Sequence, residues 1–190
     1  TIYPYSYDQR HQLITALDYR YGSGSSYDGP RIGGKEIFKN TGANLVANFA
    51  SGMPYSRQQR ITGAALISTP AAILEGEPFG SRKPWNFRAD LQIDRNVTLN
   101  FGKGETKKKS ANLNIYLLMT NVFNTLNITN VYRATGNAGD DGYLNAARFQ
   151  TSIQTQNDEA AFRYYYAMKA NNPYNYGIPR QIRLGAKLDF

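Results

Sequence analysis

The stretch "WNFRADLQIDRNVTLNF", residues 85–101, decides the fold. Read in steps of two, Trp85, Phe87, Ala89, Leu91, Ile93, Val97, Leu99 and Phe101 fall on one side. Asn86, Arg88, Asp90, Gln92, Asp94, Asn96, Thr98 and Asn100 fall on the other, and Arg95 is the one break on the apolar side. Successive side chains of an extended chain point to opposite faces, so this period marks a two-faced strand. The run is far longer than the roughly 5–6 residues of an average strand. It also exceeds the about 9–11 residues with which a tilted strand crosses a bilayer.

Four more runs share the period. In 11–21, Leu13, Thr15, Leu17, Tyr19 and Tyr21 oppose Gln12, Ile14, Ala16, Asp18 and Arg20. In 41–53, Ala43, Leu45, Ala47, Phe49 and Met53 oppose Asn44, Val46, Asn48 and Ala50. In 111–124, Leu113, Ile115, Leu117, Met119 and Phe123 oppose Asn112, Asn114, Tyr116, Leu118 and Thr120. In 180–190, Ile182, Leu184, Ala186, Leu188 and Phe190 oppose Gln181, Arg183, Gly185, Lys187 and Asp189. The segments joining these runs alternate in length. "GSGSSYDGPRIGGKE" and "GKGETKKKS" are short, Gly-rich and polar, whereas 54–83 and 124–178 are long. Within the last, "DEAAFRYYYAMKANNP" has an acidic start, good helix formers and a proline stop, which predicts a short loop helix.

Composition narrows the function classes. The 190 residues suit one domain, and no stretch approaches the roughly 20 apolar residues of a spanning helix. The first residues show no basic region followed by an apolar core, the mark of a secretory signal. The net charge of +8 raises nucleic acid as a partner, but the basic residues are scattered and the tight run Lys107–Lys109 sits in a turn, so none is expected. There is no cysteine and a single histidine, His11, which excludes thiol chemistry and multi-histidine metal sites. Fifteen tyrosines give a large stock of side chains apolar at one end and wet at the other, suited to membrane interfaces.

A sandwich also alternates. Strand length and the polar run Arg88, Asp90, Gln92, Asp94 favour instead a barrel with a wet lumen and a lipid-facing exterior. If the run at 180–190 descends to the periplasm, the parity of the five places both long loops outside and both short turns inside, as in outer-membrane barrels. Five strands cannot close, since bacterial barrels begin at about 8. The expectation is therefore an all-β chain forming part of a larger antiparallel transmembrane barrel.

Several phrases carry a resemblance: "SYDQRHQL", "SGMPYSR", "PWNFRADLQID", "YLLMTNVFNTLNITNVYRATGNAGDDGYL" and "NNPYNYGIPRQIRLGAKLDF". In order and spacing, from about Tyr5 to Phe190, the chain resembles the C-terminal barrel region of TonB-dependent outer-membrane receptors, the type with a carboxypeptidase-like regulatory domain before the plug. The resemblance implies a barrel of about 22 strands, of which these would be the last five. It implies a Gram-negative outer membrane and import of a bulky nutrient (a siderophore, glycan or peptide). The partners it implies are outer-membrane lipid, the rest of the barrel with its plug, TonB through a part outside this chain, and the barrel-assembly machinery. Leu184, Ala186, Leu188 and Phe190 resemble the signal that machinery reads. A second reading is a receptor-derived barrel subunit that scaffolds surface lipoproteins or secretion and assembly partners. A soluble carbohydrate-binding sandwich is a third class. No enzyme, cofactor or metal is expected.

Candidate site residues are few. Tyr164, Tyr165 and Tyr166, with Tyr174 and Tyr176, form an aromatic set in the last loop that could stack on a ligand or simply pack. Arg88, Asp90, Gln92, Asp94, Arg183 and Lys187 are expected to face the lumen as a hydrogen-bonded network. Trp85 and Phe87 belong to an interface belt, with His11 at the same level. Asp140 and Asp141 in "GNAGDDGY" read as a solvated turn, because two adjacent carboxylates fall well short of the about 6–8 oxygens of a calcium site. "GKGETKKKS" lacks the spacing of a phosphate loop.

Overall fold

A computed structural model of the chain describes residues 2–64, 73–101 and 109–189. Five long strands run as β1 (Gln12–Arg20), β2 (Thr41–Ala50), β3 (Asn86–Phe101), β4 (Lys109–Thr120) and β5 (Gln181–Asp189). They form one sheet in chain order, β1-β2-β3-β4-β5, and β4 is antiparallel to both β3 and β5. Among the described residues the only α-helices are α1 (Ala147–Gln154) and α2 (Glu159–Ala170). The chain is thus mostly antiparallel sheet, and the five long strands fall on the five alternating runs. The sheet stays open, with β1 and β5 at its edges. Phe190, most of the turn at 102–110, and 65–72 of the first long loop lie outside the described residues.

The chain divides into two compact units. One comprises Ile14–Asn48, Arg88–Thr125 and Ile178–Phe190. Here the register carries the period-two code across strands. Ile93 pairs with Leu117, Val97 with Leu113 and Leu91 with Met119. On the far edge of β4, Leu113 pairs with Leu188, Ile115 with Ala186, Leu117 with Leu184 and Met119 with Ile182. Leu113, Leu117 and Met119 of β4 therefore meet apolar partners on both sides; Arg95, opposite Ile115, interrupts the field, and Leu118 lies on the other face between Gln92 and Arg183. The other face pairs Asn96 with Asn114 and Thr98 with Asn112. A slip of one residue would exchange the two faces, so the pattern fixes the register.

Strand β4 ends at Thr120, short of the expected 124, for a local reason. Asn121 adopts a left-handed conformation with φ of 52°, which asparagine tolerates better than most residues. Its amide nitrogen Nδ2 donates to the carbonyls of Thr125 and Ile178, both at 3.0 Å, and its Oδ1 accepts from the Thr125 N–H at 2.9 Å. The side chain thus replaces the ladder bonds that the turn gives up. Phe123, expected on the strand, lies within that turn.

The second unit comprises Thr1–Leu13, Phe49–Phe87 and Leu126–Gly177. Its core is Tyr143, Ile153, Tyr166 and Ala170, with Leu144, Phe149 and Phe162 against it. The expected loop helix is α2: the Asp158 carboxylate caps it by accepting from the Ala161 N–H at 2.9 Å, and Asn172 and Pro173 follow its end. Helix α1 was not legible, because it has no capping side chain, no acid in its first turn and no base in its last. Packing holds it instead. Ile153 is fully buried, and the Arg163 guanidinium reaches from α2 to the Leu144 carbonyl at 3.1 Å and to Gln150 Oε1 at 2.9 Å.

Candidate functional site

On the polar face of the strand unit, Asp94 is the hub. The Arg20 guanidinium donates to both its oxygens, at 3.0 and 2.8 Å, and Asn114 Nδ2 adds a contact at 3.3 Å. Asn114 Nδ2 also reaches Asn96 Oδ1 at 2.7 Å, and Thr98 bonds Asn112 at 3.2 Å. Gly42 leaves room for this, since a Cβ there would come within 2.5 Å of the Arg20 guanidinium. Arg88 and Asp90 form a two-pronged pair at 2.8 and 2.6 Å, and Asp90 also accepts the Asn121 N–H. Arg183 donates to Gln181 at 3.0 Å, and Lys187 pairs with Asp189 at 3.0 Å. Gln92 is exposed. The expected network residues therefore share one face but form several clusters, and Arg20 and Asn114 are the members that the expectation omitted. Arg20 lies on the polar side of its run, and although β2 stands between β1 and β3, Gly42 lets its side chain reach Asp94.

The loop unit holds an aromatic cluster. The Trp85 ring stacks on Phe49 at 4.8 Å and on His11 at 5.9 Å, and Phe87 meets Phe49 edge-on at 6.5 Å. Below them, Ser51 accepts at its carbonyl from Gln9 and at its hydroxyl from the His11 N–H. Arg82 clamps Asp8 and donates to the Asp8 carbonyl at 2.6 Å. The Arg82 guanidinium holds the Asp8 carboxyl below its ordinary value.

The three consecutive tyrosines do not act together. Tyr164 and Tyr165 are exposed, as is Tyr174. Tyr166 is buried in the core, stacks on Tyr143 at 4.7 Å and donates its hydroxyl to Asp141 at 2.6 Å. Helical geometry separates them, since neighbours along a helix face different sides. Burial, together with the Asp141 carboxylate, holds the Tyr166 hydroxyl protonated well above the usual phenol range. This also corrects the reading of Asp141 as part of a solvated turn: it is 1% exposed and accepts the Tyr143 N–H as well.

Beside that core lies a cavity of about 610 Å³, within the range of small-molecule sites. Its wall includes Tyr55, Gln58, Phe79, Lys83, Asn130, Tyr132, Arg133, Asp141 and Asn175. Lys83 Nζ donates to the Thr129 carbonyl at 2.5 Å and sits 3.4 Å from Asn130 Oδ1. Arg133 Nε donates to the Ser56 carbonyl at 2.8 Å. Asn175 Nδ2 holds the Ala138 carbonyl at 2.7 Å, and Tyr132 donates to the Ala170 carbonyl at 2.8 Å. Desolvation pulls the Lys83 ammonium below the usual lysine value. No sequence signal joins these residues, because turns far apart in the chain bring them together. Among the described residues, no three or more His, Cys, Asp or Glu side chains gather as metal ligands, and no helix is long and apolar enough to cross a membrane. No family model, curated protein or solved structure matches the chain.

Proposed function

We propose that the chain is part of the wall of an outer-membrane β-barrel, the C-terminal barrel region of a TonB-dependent transporter that imports a bulky nutrient. One observation carries the reading: the apolar field across β3, β4 and β5 runs in register, broken by Arg95, yet stays open. Ile115, Ile182, Leu184 and Leu188 are all exposed, Leu184 at 77%. Large exposed apolar patches on one sheet face mark a surface that meets something other than water. The described residues of the strand unit supply no second layer to cover it. The opposite face is a hydrogen-bonded polar network, which suits a wet lumen. Strand β3 has 16 residues and β4 has 12, long enough to cross a bilayer at a tilt. In lipid the open edges β1 and β5 must pair with further strands, so the reading requires more barrel than these five.

A receptor-derived barrel that scaffolds surface lipoproteins is the second reading. The exposed Tyr164, Tyr165, Met168 and Tyr174 around α2 favour it. The test is extraction. The protein should leave the outer-membrane fraction only with detergent and migrate differently on a gel before and after heating. Release into plain buffer as a folded monomer would sink both barrel readings. An in-frame plug and TonB box in the upstream coding sequence supports transport, and a scaffold lacks them.

A further inference from the structure

We propose that the loop-unit cavity binds the oxyanion of an acidic ligand, with Lys83 and Arg133 as its charge-reading pair and a mono- or disaccharide acid as the ligand class.

The wall carries two cations and one carboxylate. That carboxylate, Asp141, is occupied by the Tyr166 hydroxyl and the Tyr143 N–H and is buried on the core side. Neither cation is matched: among the described residues, Lys83 and Arg133 make no ion pair. Both are half-buried and are held by carbonyl oxygens, Thr129 for Lys83 and Ser56 for Arg133. Those bonds fix the two heads without neutralising them. Among the described residues only the Nε of Arg133 is used, so its terminal nitrogens keep the forked donor geometry that suits carboxylate or phosphate. Keeping an ammonium partly desolvated and unpaired has a free-energy cost, and an incoming anion would remove it. Around the cations stand the side-chain amides of Asn130, Gln58 and Asn175, with Gln58 Nε2 and Asn175 Nδ2 already spent on carbonyls, and the rings of Tyr55 and Phe79. Amides beside aromatic rings suit a hydroxyl-rich ring compound. The volume is enough for one or two sugar rings.

The inference rests on the uptake reading for its biological meaning, but the binding itself does not depend on a barrel. The full-length protein in detergent micelles is titrated calorimetrically with glucuronate, with glucose as its neutral twin and with inorganic phosphate. Wild type should bind glucuronate at least 10-fold more tightly than glucose, and the preference should shrink at high salt. Lys83→Gln and Arg133→Gln should each cost 10-fold or more in glucuronate affinity. Lys83→Arg, which keeps the charge, should retain most of it. Arg148→Gln, on α1 and away from the cavity wall, should bind as wild type does. Binding of phosphate alone supports the oxyanion site and moves its ligand to a phosphorylated compound. Equal affinity for glucose and glucuronate overturns the proposal, as do unchanged affinities in both glutamine variants. Heat-modifiable migration of the same samples tests the barrel separately, so either reading can fail without the other.

Discussion

Tyr116 lies over Gly185, its register partner across β4 and β5, and a Cβ added to that glycine would run into the Tyr116 ring. A ring laid on a strand glycine shields backbone that no side chain covers. Gly185→Val should therefore evict the ring and cost about 1–3 kcal/mol, as overpacking does. Tyr116→Ala should cost less, and the double variant should cost clearly less than the sum, because the clash disappears with the ring. Urea unfolding from lipid vesicles measures all three. Strictly additive costs would mean that the pair does not touch.

Much of the sheet was legible in the chain and much of the loop unit was not. The faces of β3, β4 and β5 follow from period two because pleating allows no other arrangement once the register is set. Strand ends were less legible, since Asn121 stops β4 through hydrogen bonds to residues as far off as Ile178. Helix α2 announces itself by Asp158 and Pro173, whereas α1 depends on packing around Ile153, which no local signal encodes. The tyrosines 164–166 form one feature in the sequence because a sequence shows adjacency. The helix then turned Tyr166 inward and left its neighbours in solvent. The Lys83–Arg133 cavity was invisible for the same reason in reverse, because its residues are distant along the chain.

Leu117 is flanked by Ile93 on one side and Leu184 on the other. If that field meets lipid, Leu117→Arg should destabilise the folded state in vesicles by about 2–4 kcal/mol. The polar-face change Thr98→Arg should cost much less, because its side chain stays in a wet lumen. Equal small costs for the two would show that neither face meets hydrocarbon.

Asp94 and Arg20 are joined by two hydrogen bonds, and Asp94 is the better buried partner. Asp94→Asn and Arg20→Gln should each weaken the fold, and their double-mutant cycle should show a coupling of about 1 kcal/mol, moderated because Arg20 is half exposed. Gly42→Ala should mimic Arg20→Gln by crowding the guanidinium out of place. Zero coupling in the cycle would reduce the pair to a contact without energetic weight.

Asp141 and Tyr166 lie together in the core of the loop unit, and the phenol donates to the carboxylate at 2.6 Å. Tyr166→Phe keeps the ring in its stack on Tyr143 but leaves a buried carboxylate short of one donor. The cost should be about 1.5–3 kcal/mol near pH 7, as for hydrogen bonds to charged groups. The pH dependence has a definite sign. The folded-state pKa of this hydroxyl lies above its unfolded value of about 10, so its contribution is present in full below that pH. It fades as pH rises through the folded value, because the unfolded chain releases the proton first. The stability gap between wild type and Tyr166→Phe should therefore narrow above about pH 10. Tyr164→Phe, on the exposed side of the same helix, should match wild type throughout. Chemical unfolding of the three proteins from neutral to alkaline pH measures this. A gap that stays constant across the range would show that the Tyr166 hydroxyl is not what stabilises the core.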